Sequence, residues 1–179
     1  MGTEASKGDY IAFLDADDLW KPQKLEVQID FMEAKGYPFT FSFYDAMDED
    51  GNLLKKLITA PNPLSYSQLL FSNYVGNLTG IYSTKYFGRI PISSIRKRQD
   101  WILWLTILKK MKVAYPVPES LAFYRMHDNS ISSSKVGLLK FNYLVYRHFG
   151  KSALIASLYM LKFLWIHFLV KPKYSTSYL

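Results

Sequence analysis

Apolar and polar positions alternate in short blocks along most of this chain and lengthen near its end. Tyr10 to Leu14 is a brief apolar and aromatic run behind Gly8-Asp9, the pattern of a buried strand. Pro22 suits the first turn of a helix, where its missing N–H costs nothing, and Leu25, Ile29 and Met32 follow at i, i+4 and i+7 as one apolar stripe that ends at Gly36. Phe39 to Tyr44 reads as an aromatic strand, Asp48-Glu49-Asp50-Gly51 as a turn, and Leu53 to Ile58 as the strand's partner. Pro61 and Pro63 mark a loop, Ser65 caps a short helix through Phe71, and Asn73 to Ser83 carries two glycines into another apolar strand. Trp101, Leu105 and Leu108 share a helical face, with Trp104 and Met111 beside it, which predicts an amphipathic helix over 101–111 with Asp100 at its entrance. Val113 to Val117 and Glu119 to Arg125 read as two strands. The last blocks are helical: an amphipathic stretch over 136–150, then nineteen mainly apolar residues from Ser152 to Val170.

Composition narrows the picture to one domain-sized core with a tail. With 179 residues, 49% hydrophobic and 17% aromatic, the chain is not a disordered segment. It has no cysteine, which excludes a disulfide frame and a zinc-thiolate site and suits a cytosolic location. Residues 1–7 lack the basic and apolar regions of a secretory signal. A net charge of +7 is compatible with nucleic acid, an anionic membrane face or an anionic substrate. No RNA- or DNA-binding motif is present, and Lys151, Lys171 and Lys173 flank the apolar tail, so the charge points to a membrane rather than to nucleic acid. Lys162, near the middle of that tail, would be costly in a bilayer core, which favours a helix lying in the interface or packed on the domain.

The candidate chemistry begins at the end of the first strand. Asp15, Asp17 and Asp18 repel one another unless something positive sits among them, and Mg²⁺ or Mn²⁺ with an attached diphosphate would serve. Asp18 as the cap of the next helix serves as well, and the residues alone leave both readings open. Asp100 has the same two readings, helix cap or working carboxylate. The basic run Arg96-Lys97-Arg98 is either a solvated face or a guide for an anionic ligand. The acidic turn at 48–51 lacks the twelve-residue spacing of a calcium loop.

The string KGDYIAFLDADDLW, with Pro22, Lys24 and Leu25 after it, resembles the Asp-X-Asp segment of bacterial family 2 glycosyltransferases, which have the GT-A fold. The resemblance covers about Gly2 to Lys135. It implies that Asp15 and Asp17 bind the ribose and, through Mn²⁺ or Mg²⁺, the diphosphate of a nucleotide-sugar donor such as a UDP-sugar. Gln99-Asp100-Trp101, followed by Leu103, Trp104 and Leu105, resembles the family's Glu/Gln-Asp motif, which implies that Asp100 is the general base for the acceptor hydroxyl. A single base, with a metal on the leaving diphosphate, gives direct displacement and inversion. Tyr124-Arg125-x-His127-x-x-Ser130-x-Ser132 resembles the loop whose His completes the metal shell, so His127 becomes a metal ligand and Arg125 a phosphate contact. Residues 73–83 would line the acceptor side.

The expectation is therefore an α/β chain: a partial, Rossmann-like GT-A domain over 1–134 and a helical, membrane-associated tail over 135–179. A complete enzyme of this kind carries roughly eighty to a hundred further residues of nucleotide-binding βαβ structure ahead of this point. The expected function is transfer of a sugar to a saccharide or lipid-linked hydroxyl in bacterial surface polysaccharide synthesis, at the inner face of the cell membrane. Without that upstream unit, which holds the base and ribose, donor binding would be weak, and a first strand apolar on both faces would self-associate through an open edge. The alternative is a non-catalytic remnant or partner subunit that keeps the fold and the membrane helix.

Overall fold

The computed structural model describes residues 2–127 and 135–178. In chain order its first half comprises α1 (Gly2–Ala5), β1 (Tyr10–Ala12), β2 (Leu19–Trp20), α2 (Lys24–Lys35), β3 (Phe39–Met47), β4 (Leu53–Ile58), β5 (Leu64–Ser65) and α3 (Tyr66–Phe71). A 3-10 turn at Asn77–Thr79 leads into β6 (Ile81–Ser83) and α4 (Thr84–Phe87). Then come α5 (Gln99–Met111), β7 (Val113–Arg125), α6 (Lys135–His148), α7 (Ala153–Leu169), a 3-10 turn at Lys171–Tyr174 and β8 (Ser175–Ser177).

The sheet is mixed and is built on β3. Along one edge β3 pairs in parallel with β7, from Thr40 opposite Tyr115 to Met47 opposite Arg125. The other edge is shared by β6 at the start of β3 and β4 at its end, both antiparallel. β1 extends the sheet beyond β6, β8 beyond β4, and β2 and β5 pair with β7. The β3–β4 hairpin and its acidic turn stand where the pattern placed them. Asp48 closes the turn by accepting the Asn52 N–H at 2.8 Å. Ser65 and Gln68 form a reciprocal capping box at the head of α3.

Four expectations change. The strand expected over 10–14 is only three residues long, and Leu14 beyond it is exposed; its one pairing among the described residues, with β6, leaves the expected open edge. The residues after it leave the sheet to form a tight turn in which Asp18 N–H bonds Asp15 O at 3.1 Å. The two strands expected over 113–125 are one strand, which slips register against Ser42 and Phe43 near Pro116 and Pro118; proline has no N–H to give to a ladder, and a bulge absorbs the loss.

The buried stripe of α2 is Lys24, Gln28 and Met32 rather than Leu25, Ile29 and Met32. The polar pair is tolerated because it is satisfied. Lys24 Nζ donates to Gln28 Oε1 and lies 4.3 Å from the Trp20 ring centre, and Gln28 Nε2 donates to Thr79 O. Finally, α5 is buried on nearly every side, from Trp101 through Leu105 and again at Ile107 and Leu108. Trp104 stacks on Phe39 of the sheet at 5.4 Å, while Trp101 meets Tyr146 of α6 and Phe163 of α7 on the opposite side. With layers on both sides, the helix keeps only a short polar edge, Thr106, Lys109 and Lys110 toward its C-terminal end. Gly80 is dictated by the same packing, since a Cβ there would stand 2.5 Å from the Trp104 ring.

Burial pushes the Lys24 ammonium from 10.5 down to about 8. Between those values the unfolded chain holds more protons than the folded one, so stability rises with pH across the window, by on the order of 3 kcal/mol when complete. Lys24→Met is expected to lack this rise. Urea midpoints of both proteins at pH 7 and near pH 10 check it, and parallel changes in the two would refute it.

Candidate active site

The turn after β1, the ends of β3 and β7, the 73–79 segment and the start of α5 converge on one cleft of about 970 Å³. Asp15, Asp18 and Asp100 line it, together with Asn73, Asn77 and Tyr124.

Asp18 does not cap α2. The helix begins at Lys24, and Asp18, buried to 4% exposure, accepts the backbone N–H of Arg125 at 2.9 Å. That bond ties the acidic turn to the end of β7. Burial, followed by the neighbouring Asp17 and Asp15 charges, pushes the Asp18 carboxyl up to about 6, against the lowering effect of the Arg125 N–H.

The coupling of the two chain ends places His127 Nε2 3.1 Å from Asp17 Oδ2, with Nδ1 of the same ring 3.4 Å from Glu49 Oε1. Asp17 and His127 suit a small divalent cation, because ligands adjacent on an octahedral ion at about 2.1 Å are about 3.0 Å apart. No group of three or more His, Cys, Asp or Glu side chains among the described residues could hold a metal. A cation here would take the rest of its shell from water and phosphate oxygens, as Mg²⁺ and Mn²⁺ commonly do. Asp15 is held in place by Asn77, whose Nδ2 donates to both carboxylate oxygens at 3.1 Å.

Arg125 is placed differently from a free phosphate clamp. Its Nε donates to Asp17 O at 2.8 Å, and its Nη1 donates to Asp48 O and Glu49 O at 3.1 and 2.7 Å. The guanidinium thus pins the Asp17 turn and the acidic hairpin turn around His127. Ser130 and Ser132, the end of the loop pattern, lie outside the described residues.

Asp100 lies in the first turn of α5, whose cap position is Arg98. Its Oδ2 accepts Asn73 Nδ2 at 2.8 Å. Burial raises its carboxyl above the usual range, while the Trp101 N–H, the Arg98 charge and the Asn73 bond act the other way. Of the residues that build this site, Asn73, Asn77 and Glu49 went unsingled in the sequence. Asparagine or glutamate in a polar turn has no local pattern that tells a positioning residue from a solvated one.

A model of the glycosyl transferase family 2 domain matches residues 1–93. A Bacillus subtilis (strain 168) glycosyltransferase named for teichuronic acid biosynthesis is 43% identical over 154 residues, 83% of this chain and 61% of that protein. An Escherichia coli UDP-Glc:alpha-D-GlcNAc-diphosphoundecaprenol beta-1,3-glucosyltransferase is 31% identical over 160 residues, 89% of this chain and 62% of that protein. The chain therefore spans about three fifths of the length of these relatives. The crystal structure of S. aureus TarS with UDP-GlcNAc superposes over 96% of this chain and 52% of that one, with a TM-score of 0.54 at 11% identity, a likeness of GT-A fold alone. A family match over more than half of the residues, with relatives extending it through α5 and β7, leaves one assignment: the chain belongs to glycosyl transferase family 2.

Proposed function

We propose that this chain carries the catalytic carboxylates of an inverting sugar transferase, which moves a sugar from a UDP-sugar to a hydroxyl of a lipid-linked saccharide in surface polysaccharide synthesis. Residues 1–134 form its catalytic part, and 135–179 a helical tail that attaches to the cytoplasmic face of the membrane. The observation that carries the reading is a cleft lined by Asp15, Asp18 and the half-buried Asp100, with the Asp17–His127 pair outside that lining on the adjoining acidic turn. Asp17 and His127 would hold Mn²⁺ or Mg²⁺, which when bound offsets charge on the leaving diphosphate. Asp15, steadied by Asn77, orients the donor. Asp100 accepts the proton of the acceptor hydroxyl as its oxygen bonds to the anomeric carbon and the bond to diphosphate breaks, the electron pair leaving on the phosphate oxygen. A single displacement inverts the anomeric carbon. The E. coli relative named above fits this, since UDP-glucose is α-linked and that protein's product is β-linked.

The test is a transfer assay with UDP-glucose or UDP-GlcNAc, Mn²⁺ and a diphospholipid-linked N-acetylglucosamine, run on this chain and on a fusion of it to the part of its relatives that it does not cover. A β-linked product from either supports the proposal. An α-linked product refutes inversion, and no product from either leaves the non-catalytic alternative standing. For the metal, His127→Ala is expected to weaken Mn²⁺ binding by about tenfold or more, because the cation loses one of two protein ligands. Electron paramagnetic titration of free Mn²⁺ reads this directly, and equal affinity in the variant would remove His127 from the shell.

A further inference from the structure

The cleft has a second, oppositely charged end. Arg96 and Arg98, just ahead of α5, and Lys171, just after α7, line it together with Phe168 of α7. Among the described residues neither inner cation donates a hydrogen bond to a carboxylate, although the Asp100 charge acts on both. Arg98 Nε donates to Asn142 Oδ1 at 2.7 Å and Lys171 Nζ to Asn73 O at 2.8 Å, both neutral acceptors. The two are close enough for the Arg98 charge to depress the Lys171 ammonium, which burial already lowers to about 8, while Asp100 acts to raise it. Asp100 sets one negative charge against these two positive ones, and a further anion would offset the excess.

The backbone at Arg98 adds to this. Its φ of 68° and ψ of 22° are left-handed, a region that non-glycine residues enter at a cost, and its side chain makes no cap bond to α5 in return. The positive end of that helix faces the same space, with Gln99 and Asp100 at the wall. Asn73 links the parts, since its side chain holds Asp100 and its carbonyl holds Lys171. Phe168 lines the cleft yet is 64% exposed on the outer apolar face of α7, so the basic end opens toward that face.

We propose that Arg98 and Lys171 form an anion subsite for the phosphate or diphosphate borne by the acceptor, separate from the metal-suited site of the donor, so that an acceptor held there presents its sugar hydroxyl to Asp100. The inference rests on the transferase reading for its functional meaning, but the subsite can be tested without any donor.

Calorimetry of the chain in EDTA, which silences the metal-suited end, measures binding of inorganic pyrophosphate and of geranyl diphosphate. Lys171→Gln and Arg98→Gln are each expected to weaken both by about tenfold, the usual worth of a charge-assisted hydrogen bond, while Lys171→Arg stays within about threefold of wild type. Circular dichroism melts confirm that the variants fold. Tighter binding of geranyl diphosphate than of pyrophosphate identifies a lipid-borne phosphate; equal binding identifies a site that reads phosphate alone. Either supports the subsite. No binding by the folded wild type, binding unchanged in both charge-removing variants, or loss in Lys171→Arg equal to that in Lys171→Gln overturns it. UDP binding by the wild type in Mn²⁺ is measured separately, so failure of the donor reading is not confused with failure of the subsite.

Discussion

Replacing Asp100 by Asn in a catalytically competent protein containing this chain is expected to lower sugar transfer by about 10²- to 10⁴-fold, the usual worth of a positioned base. The amide is the same size as the carboxylate and still offers an oxygen to Asn73 Nδ2, so the head of α5 should keep its place. Only the capacity to take the acceptor proton is removed. UDP binding and the thermal midpoint should therefore stay near wild type, which separates a lost base from a damaged fold. The wild-type pH profile gives a second check. Burial holds the Asp100 carboxyl above the ordinary aspartate range, and the base works only when ionised. Transfer should fall as pH drops through that raised value, with the acid limb displaced upward from where an exposed aspartate would put it. Transfer unchanged in Asp100→Asn, or an acid limb in the ordinary range, would take the base role from this residue.

Substituting Leu158, Leu161 and Trp165 together by Gln is expected to reduce binding to vesicles containing phosphatidylglycerol by at least about a hundredfold, since burying each such side chain is worth about 1.5 to 3 kcal/mol when complete. Leu154, Leu158, Leu161, Trp165 and Phe168 recur at i, i+4, i+7, i+11 and i+14 along α7, and all are more than half exposed. The stretch Ala153–Tyr174 is long and apolar enough to cross a membrane by length and composition. Its inner side, however, is committed to the protein: Ala156 and Phe163 are buried, and Phe163 packs on Trp101. A helix with one face in the core and a continuous apolar stripe outside, flanked by Lys151 and Lys173, suits the plane of an anionic bilayer surface, while Lys171, also expected at the headgroups, is turned into the cleft. Co-sedimentation with vesicles of graded phosphatidylglycerol content measures the loss. Equal binding by the triple variant would show that α7 is not the membrane face.

The tail shows how far periodicity carries and where it stops. Its helical character and apolarity were legible from Ser152 to Val170, but Lys162 counted as a charge in the middle of a membrane-directed segment. In the structure Lys162 stays exposed, but its Nζ lies 4.1 Å from the Phe71 ring centre of α3, which holds it at the border between the outer stripe and the protein. The outer stripe is left without a charge. Which face of a helix turns inward depends on what packs against it, and that partner lies some ninety residues away in the chain.

The same division holds for the rest of the molecule. Runs of apolar and aromatic residues, glycine ends and capping patterns determined β3, β4, α3 and the existence of α5 and α7, because these depend on neighbours within a few residues. The family was legible in the string around Asp15 and Asp17. Tertiary structure alone decided that α2 buries Lys24 and Gln28, that α5 has core on both sides, and that Asp18 receives the Arg125 N–H instead of capping a helix. It also decided the meeting of His127 with Asp17 across 110 residues, which requires β2 to pair antiparallel with the end of β7, Leu19 opposite Phe123. Local pattern records which side chains are able to do the chemistry. Their separation is set by strand order and register, and those follow from packing energies summed over the whole sheet rather than from any single stretch of the chain.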